Sequence, residues 1–561
     1  MARLTGLLAA LWSGLTGPLI GVVVLVLVAL CTVLPGLETL PVTDRDEARF
    51  AQATKQMMET GDLVDIRFQD QPRWKKPAGI YWLQVASASA LGGTEAPIWA
   101  YRLPSAIAGF LGAIMMVWAA RPFVSSGRAA VISGLILASS ILFVVEANIA
   151  KTDAALMLTA ILTLGALGRL LLPDQTGGPV TALTLWVALA AAILLKGPIV
   201  PVIAILAAIG FWLLGRERPS LGRLRIKWGL PLMLALASPW LIAIWIVTDG
   251  GFFQESVGKD LLGKVAEGKE KHWGPPGLYS MIVWGTFWPW AAFLPLALPW
   301  FWGQRRTLWL VLLIAWTVPF WIILEAVPTK LPHYVLPLYP AIAIALAAWL
   351  VDGPEKTARR WQWWLSAILI GLPGIVLPLA AIFGPIVIER SVNLSAVLFA
   401  FPALAFGALA VASALRENRA AQALSGLIAA LLIYPAVLHH GLPSLKTGFA
   451  SPRIAEVAAG WRSCAEGPLV SAGYREPSLI FLTETGTLGA SPEQTAQLMR
   501  DGAHRLFMVE DRWWPLIDPL LPDGRPGLVE RGEIRYFNYN RGDYEIARFW
   551  TTDDPRWQPC E

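Results

Sequence analysis

Residues 18–36, PLIGVVVLVLVALCTVLPG, form an apolar run that is long enough to cross a bilayer as a helix. Comparable runs recur to about residue 440, and short charged or Pro/Gly-rich loops separate them. The composition agrees with this pattern, because 55% of the residues are hydrophobic, only 15% are charged and 28 are tryptophan. The sequence therefore predicts a polytopic α-helical membrane protein rather than a large soluble domain.

We expect about thirteen transmembrane helices from the lengths of these runs. Their approximate limits are 18–36, 98–120, 128–146, 154–172, 180–196, 198–215, 228–248, 278–302, 307–325, 334–351, 362–388, 394–415 and 420–440. Basic residues such as Arg121, Arg223 and Arg416 concentrate in alternate short loops, which the positive-inside rule places in the cytoplasm. The other loops are then expected on the periplasmic side of a bacterial inner membrane. The net charge of +5 is explained by this topology and gives no argument for nucleic-acid binding.

The chain is expected to divide into two parts. Residues 1–445 would form a transmembrane catalytic domain with external loops at 37–97, 249–277 and 325–333, and residues 446–561 a periplasmic α/β domain. In the second part the patterns predict a helix near 454–461, strands at 479–482 and 505–509, and a hairpin that turns at 540–543. No catalytic motif is evident there, so we expect a structural or acceptor-docking role.

The three cysteines differ in their surroundings. Cys31 lies in the first apolar run and is interpreted as a small buried apolar residue. Cys464 and Cys560 both fall in the C-terminal part, where an oxidising periplasm permits a disulfide between them.

A charged segment, VTDRDEARF at residues 42–50, directly follows the first apolar run. Its charges are costly in hydrocarbon, so the segment must lie at the membrane surface. From Asp46 the apolar positions follow helical spacing until Gly61, which predicts an amphipathic helix along the interface. A second, apolar helix is expected from Ala78 to about Ala90.

Two acids in this region each have a structural and a catalytic interpretation. Asp46 lies at the start of the interfacial helix and Asp153 at the start of the fourth span, where a carboxylate can simply cap the backbone. The two would nevertheless share one outer surface with a group of basic residues. Two carboxylates beside an anion site are typical of a catalytic centre.

The basic residues of the external loops also have two interpretations. They form either a solvated basic face or a site for the phosphate of a lipid whose tail lies in the bilayer. The candidates for phosphate binding are Arg49, Lys76, Lys259, Lys264 and Lys330.

Three sequence elements together resemble a known family. They are Asp46-Glu47-Ala48-Arg49-Phe50-Ala51, then Lys75-Lys76-Pro77 with Tyr81-Trp82, and finally Lys330-Leu331-Pro332-His333-Tyr334 with Leu336-Pro337-Leu338-Tyr339-Pro340. In this order the chain resembles the lipid A aminoarabinose transferase branch of the protein O-mannosyltransferase-like glycosyltransferases, which have a C-type membrane fold. This chain differs from the family in the external loop 249–277. The family has a histidine and an arginine in this loop, whereas this chain has Lys259 and Lys264 near those positions.

The resemblance implies a polyprenyl-phosphate-linked sugar as the donor and a periplasmic envelope glycan as the acceptor. It places Asp46 and Asp153 at the reaction centre, and Arg49, Lys76 and Lys330 at the phosphate. We also expect Glu47, Tyr81, His333 and Tyr334 to position substrate. The expected reaction moves 4-amino-4-deoxy-L-arabinose or a related sugar to lipid A or lipopolysaccharide by inverting displacement.

Alternatives remain open at the level of the sequence. The sugar could be another hexose or a uronic acid, and the acceptor a lipopolysaccharide core or a protein. A transporter of lipid-linked sugars is a different class that also needs many spans, although transporters place more ionisable residues near the bilayer midplane. No ligand spacing demands a metal or another cofactor, but acids near a phosphate permit a divalent cation.

Overall fold

The computed structural model describes residues 2–43, 45–216, 220–263, 273–354, 358–521, 527–538 and 541–560. Among these residues, nine helices are long and apolar enough to cross a membrane, or up to twelve if each of three bent helix pairs is one span. A shorter apolar helix, Ile199–Leu214, adds one more candidate and brings the total to the expected thirteen. The predicted membrane fold is confirmed.

The helices of the first half are α1 (Ala2–Leu15), α2 (Pro18–Val33), α3 (Asp46–Thr60), α4 (Gly79–Ala90), α5 (Ile98–Ala120), α6 (Gly127–Ala138), α7 (Ile141–Ala147), α8 (Asp153–Leu171), α9 (Pro179–Lys196), α10 (Ile199–Leu214) and α11 (Ile226–Thr248). The longer helices that follow are Leu278–Thr286, Leu294–Gln304, Leu308–Ala326, Tyr339–Asp352, Arg360–Glu389, Leu394–Leu415 and Arg419–Tyr434. A π-helix at Gln254–Leu262 lies between two of these helices, and a 3₁₀-helix at Pro332–Leu338 leads directly into helix Tyr339–Asp352.

The bends within the helix pairs occur at residues that interrupt helical hydrogen bonding. Helices α1 and α2 meet at 97° across Gly17, directly before Pro18, which lacks the backbone N–H that a continuous helix needs. Helix α1 itself was not expected from the sequence. Cys31 on α2 is exposed on the surface of the bundle, so its interpretation as a buried residue was wrong.

The external region after α2 has the predicted elements. Helix α3 begins at Asp46 and stops at Gly61, which takes the left-handed conformation with φ of 73°. A two-stranded hairpin, β1 (Arg67–Phe68) and β2 (Gln71–Pro72), leads to α4. Helix α4 packs closely on α9, because a Cβ atom on Gly79 would lie 2.6 Å from the carbonyl oxygen of Leu194.

The C-terminal part is built on a five-stranded sheet in the order β4-β3-β5-β7-β6. Its strands are β3 (Val470–Ala472), β4 (Leu488–Gly489), β5 (Phe507–Glu510), β6 (Leu528–Asn538) and β7 (Asp543–Thr552). Strand β3 pairs in parallel with β4 and β5, whereas β7 pairs antiparallel with β5 and β6. Helices Ala450–Trp461, Pro477–Leu482, Pro492–Arg500 and Trp514–Ile517 flank the sheet.

The sequence-based predictions for this part have mixed outcomes. The helix near 454–461, the strand near 505–509 and the β6–β7 hairpin are confirmed, although turn residues 539 and 540 lie outside the described part. Residues 479–482 are helical rather than a strand, because Pro477 occupies the first turn of a short helix. The disulfide between Cys464 and Cys560 is present.

The sheet domain rests on helix α3 and the β1–β2 hairpin. The Gln69 amide, at the tip of the hairpin, donates to the carbonyl oxygens of Thr485 and Thr487 at 2.9 and 2.7 Å. Gln52 of α3 donates to the Thr485 hydroxyl at 2.7 Å. The Tyr101 ring of α5 packs edge-on against Phe481 at 5.2 Å. These contacts hold the C-terminal domain against α3, the hairpin and the start of α5.

Candidate active site

A cavity of about 890 Å³ lies where the membrane helices, the external loops and the C-terminal domain meet. Its walls come from the start of α3, the β2 strand with the following lysines, the loop between α7 and α8, the end of α9, and two later loops. The lining residues are Thr43, Arg45, Asp46, Glu47, Arg49, Phe50, Phe68, Gln71, Pro72, Arg73, Lys75, Lys76, Ile149, Lys151, Thr152, Asp153, Lys196, Leu331, His333, Tyr334, Arg475, Glu476 and Pro477. Both predicted catalytic acids are among them.

Asp46 presents its carboxylate to this cavity from the first position of α3. The residue is exposed, and within the described ranges no hydrogen bond or ion pair engages its carboxylate. The preceding Arg45 has φ of 69° and ψ of −92°, a conformation that non-glycine residues rarely adopt. Such backbone outliers cluster at functional sites, where the surrounding structure must hold them in place.

Glu47 lines the cavity, but its carboxylate is already engaged by hydrogen bonds. Its two oxygens accept from the Arg102 guanidinium at 2.7 and 3.0 Å, and both side chains are fully buried. The same carboxylate accepts from the Thr43 backbone and hydroxyl and from the Ala150 backbone, at 2.7 to 2.9 Å. Burial alone would raise the pKa of Glu47, but the charge and hydrogen bonds of Arg102, with the backbone donors, outweigh it and lower the pKa.

Arg102 extends this anchor to the end of the first span. Besides Glu47, its guanidinium donates to the carbonyl oxygens of Leu37, Leu40 and Pro41 at 2.6 to 3.0 Å. Since a buried guanidinium must be paired and hydrogen-bonded to be tolerated, these acceptors explain its position inside the bundle. Glu47 and Arg102 thus fix the loop that leads into α3 and Asp46, which is a structural role for Glu47.

Asp153 lies in a buried group of opposite charges where the end of α7, the start of α8 and the end of α9 meet. Its carboxylate is 2.5 Å from the ammonium of Lys196 and 4.0 Å from that of Lys151. Lys151 also lies 3.2 Å from Glu146, and the His333 ring nitrogen Nδ1 lies 3.4 Å from the Lys151 ammonium. Burial would lower the pKa of Lys151, but the carboxylates of Glu146 and Asp153 outweigh it and raise the pKa.

Glu146, Asp153 and His333 are also the residues that could hold a metal ion. One ligand atom from each lies within 4.8 Å of the others, and all three residues are buried. Carboxylate and imidazole ligands suit a divalent cation. The ammonium groups of Lys151 and Lys196 already contact the two carboxylates, so a metal ion here would have to displace or repel these cations.

The cavity is also lined by cationic side chains that are suited to a phosphate, and these form its cationic wall. Arg49 projects from α3, and Arg73, Lys75 and Lys76 follow strand β2. The guanidinium of Arg73 lies 5.0 Å from the centre of the Phe50 ring, which restricts its orientation. The C-terminal domain adds Arg475 and Glu476 to the rim.

Three other predicted site residues, Lys330, Tyr81 and Lys259, are not among the residues that line this cavity. Lys330 donates to the carbonyl oxygens of Leu324, Glu325 and Val327 at 2.7 to 3.0 Å, so its ammonium caps the end of helix Leu308–Ala326. Tyr81 is buried, with its ring 5.3 Å from that of Phe50. Lys259 is 69% exposed and pairs with Glu255 one helical turn away, and Lys264 lies outside the described residues.

Several residues of the site were missed at the level of the sequence. The sequence patterns assigned no role to Lys196, Lys151, Glu146 or Arg102. For two of them, the position in a span could have indicated a role in the site. Lys196 ends one span, and Arg102 lies in the first turns of another. An ionisable residue within a span requires a partner or a function.

Comparison with known proteins agrees with this arrangement. Residues 75–245 match the family described as dolichyl-phosphate-mannose-protein mannosyltransferase. The undecaprenyl phosphate-alpha-4-amino-4-deoxy-L-arabinose arabinosyl transferase of Aeromonas salmonicida is 28% identical over 357 residues, 61% of this chain and 61% of that protein. The enzyme of the same name from Pectobacterium atrosepticum is 26% identical over 363 residues, 63% of each chain.

The chain is a relative of the aminoarabinose transferases. The resemblance stated from the sequence is thereby confirmed, although the match spans only about three fifths of the length of these curated relatives, 61% and 63%. The crystal structure of ArnT from Cupriavidus metallidurans bound to undecaprenyl phosphate has a TM-score of 0.73, at 20% identity, over 94% of this chain and 97% of that one. Its apo form has a TM-score of 0.70. The aminoarabinose transferase fold therefore extends over nearly the whole chain.

Proposed function

We propose that this relative of the aminoarabinose transferases is a membrane glycosyltransferase that moves a sugar from a polyprenyl-phosphate donor to an envelope glycan. The observation that carries the proposal is one cavity lined by two differently held carboxylates, Asp46 and Asp153, together with several arginines and lysines. The names of the curated relatives and the lipid in the ArnT crystal structure support undecaprenyl phosphate as the carrier.

The cationic wall would receive the leaving phosphate. Transfer breaks the bond between the anomeric carbon and a phosphate oxygen, and the bonding electrons remain on that oxygen. Arg49, Arg73, Lys75 and Lys76 line the wall where this negative charge would grow. Fixed cations stabilise such a transition state more than the bound donor, because the charge on the leaving oxygen increases during the reaction.

The two acids would have different tasks because their surroundings differ. No hydrogen bond or ion pair among the described residues engages the Asp46 carboxylate, so it can accept a proton from an acceptor hydroxyl while that oxygen attacks the anomeric carbon. A phosphate acceptor is already anionic and needs only orientation. Asp153 is held at 2.5 Å by Lys196, so its carboxylate is a well-fixed hydrogen-bond acceptor for sugar hydroxyls.

Within this class we propose 4-amino-4-deoxy-L-arabinose or a closely related sugar as the group transferred, and lipid A or lipopolysaccharide as the acceptor. The names of the relatives support the sugar. The periplasmic position of the site is proposed from the positive-inside distribution of the short loops.

Mass spectrometry of envelope glycolipids tests the proposal directly. Cells with and without this protein should differ by a glycolipid that carries one additional sugar, and the added mass identifies that sugar. Identical glycolipid profiles under conditions where the protein is made would contradict the proposed function.

A further inference from the structure

A second cavity, of about 490 Å³, adjoins the first one beneath the C-terminal domain. The two cavities share three lining residues, Phe68, Arg475 and Glu476. The other residues that line the second cavity are Gln56, Gln69, Asp70, Ser471, Tyr474, Leu479, Ile480, Thr485, Gly486, Thr487, Leu488 and Gly489. Its volume falls within the roughly 300–1,000 Å³ that small-molecule sites occupy.

The walls of this second cavity are fixed before any ligand binds. Gln56 and Gln69 exchange two hydrogen bonds at 2.7 and 2.8 Å, and Gln69 in turn donates to the loop at Thr485 and Thr487. The hairpin and the C-terminal domain are thereby joined on one side of the cavity. A site that is already ordered loses little conformational entropy when it binds a ligand.

The position of the second cavity favours the water-soluble part of a substrate. Every residue that lines it, within the described chain, belongs to α3, the β1–β2 hairpin or the C-terminal domain, and none to a membrane-spanning helix. The polyprenyl tail of a donor must remain in the hydrocarbon, so the tail does not reach this cavity. The head group of an acceptor approaches from the aqueous side.

The chemistry of the lining favours a sugar over a second phosphate. Its charged lining residues are one arginine, Arg475, and two acids, Asp70 and Glu476, in contrast to the cationic wall of the first cavity. Tyr474, Leu479 and Ile480 supply an apolar surface beside these polar groups. A sugar ring presents hydroxyls at its edge and C–H groups on its face, which matches a mixed lining of this kind.

We propose that the second cavity binds the sugar unit of the acceptor that neighbours the reacting group, while the reacting group itself lies in the first cavity beside Asp46. This proposal rests on the glycosyl transfer proposed above and assigns the C-terminal domain a role in acceptor specificity. Arg475, at the junction, is held by a 2.7 Å hydrogen bond from Nη2 to the Ala490 carbonyl oxygen, so its position on the shared rim is fixed.

Equilibrium binding to the full-length protein in lipid nanodiscs tests the second cavity independently of catalysis. The probes are the deacylated glucosamine disaccharide 1-phosphate and glucosamine 1-phosphate, which lacks only the second ring. Ile480→Trp should fill part of the cavity and weaken disaccharide binding about tenfold. It should leave binding of the monosaccharide unchanged. Ile480→Val is the matched control and should bind both probes like the wild type.

Asp70→Ala gives a second variant at an exposed position, where the folding of the protein is not at risk. It should also weaken the disaccharide selectively, because it removes a hydrogen-bond acceptor from the lining. Equal disaccharide binding by wild type and Ile480→Trp, or no disaccharide binding by the wild type at all, would overturn the proposal. Failure of the proposed function would instead appear as absent sugar transfer by the wild type, whatever the binding results.

Discussion

At the scale of single residues, the site is defined by how each carboxylate is held. Asp46 is exposed in the cavity, and Asp153 is paired with Lys196 at 2.5 Å. The Glu47 carboxylate is engaged by hydrogen bonds from Arg102 and from backbone N–H groups. Three acids that look interchangeable in the sequence therefore have three roles. The distinction between them arises from partners that lie 43 and 55 residues away along the chain.

The Asp153–Lys196 pair leads to the first prediction. Lys196→Met leaves a buried carboxylate without its nearest cation, and we expect the free energy of unfolding to fall by about 3–5 kcal/mol. Unfolding in mixed micelles, followed by tryptophan fluorescence, measures this loss. Adding Asp153→Asn should recover most of the stability, because no buried charge is then left unpaired.

The matched control for this prediction is Lys259→Met, which removes an exposed lysine that is also paired with an acid. Exposed ion pairs contribute about 0–1 kcal/mol, so this variant should unfold almost like the wild type. Equal effects of Lys196→Met and Lys259→Met would show that the buried pair does not stabilise the site.

The Glu47–Arg102 pair gives a prediction about pH. Because the folded protein lowers the pKa of Glu47 below its ordinary value of 4.5, the ionised carboxylate stabilises the fold above that pH. The stabilisation is lost as the pH falls through the lowered pKa. Glu47→Gln should therefore lower the melting temperature most at neutral pH, and its difference from the wild type should narrow below about pH 4.5.

Thermal melts across the acidic range measure this difference, with Glu38→Gln as the control at an exposed position of the same external region. Glu38→Gln should have little effect at any pH. A Glu47→Gln difference that stays constant down to pH 3 would contradict the role of the ionised pair.

At the scale of elements, the sequence predicts best what is encoded locally. The sequence pattern predicts that helix α3 begins at Asp46 and stops at Gly61, and the structure confirms both limits. The helix at Pro477–Leu482 was mistaken for a strand, because six apolar-rich residues carry too little periodicity to separate the two. Helix α1 was missed because its sequence, with Arg3, Thr5 and Ser13, interrupts the apolar run.

Docking of the C-terminal domain on the hairpin is an element-scale contact that can be tested. Gln69→Ala removes two hydrogen bonds to the carbonyls of Thr485 and Thr487, each worth about 0.5–1.5 kcal/mol. We expect faster hydrogen exchange in residues 477–489, measured by mass spectrometry. Gln497→Ala, at an exposed helical position of the same domain, should leave exchange in this segment unchanged. Unchanged exchange in Gln69→Ala would mean that other contacts suffice for docking.

At the scale of the whole molecule, hydropathy predicts the spans but does not predict how they pack. Each span is a local property, so all thirteen expected runs have a helical counterpart in the described chain. The register between helices is not local, and for this reason the lysines that hold Asp153 and the capping role of Lys330 were not foreseen. The cavity shared by the membrane helices and the C-terminal domain likewise depends on packing.

The distribution of charge over the molecule bears on the alternative of a transporter. The buried ion pairs of the site lie at the ends of α8 and α9 and in the loop before α8, on the side where the C-terminal domain sits. Transporters place such groups near the bilayer midplane. The arrangement favours chemistry at the membrane surface.

The most direct test of this chemistry is sugar transfer by the purified, reconstituted protein. Wild-type protein is incubated with an undecaprenyl-phosphate-linked aminoarabinose donor and lipid A, and the products are analysed by mass spectrometry. We expect lipid A that has gained one sugar, and a rate at least about 100-fold lower for Asp46→Asn at an unchanged melting temperature. No transfer by the wild type, or equal turnover by Asp46→Asn, would contradict the assignment of this cavity as a glycosyltransferase active site.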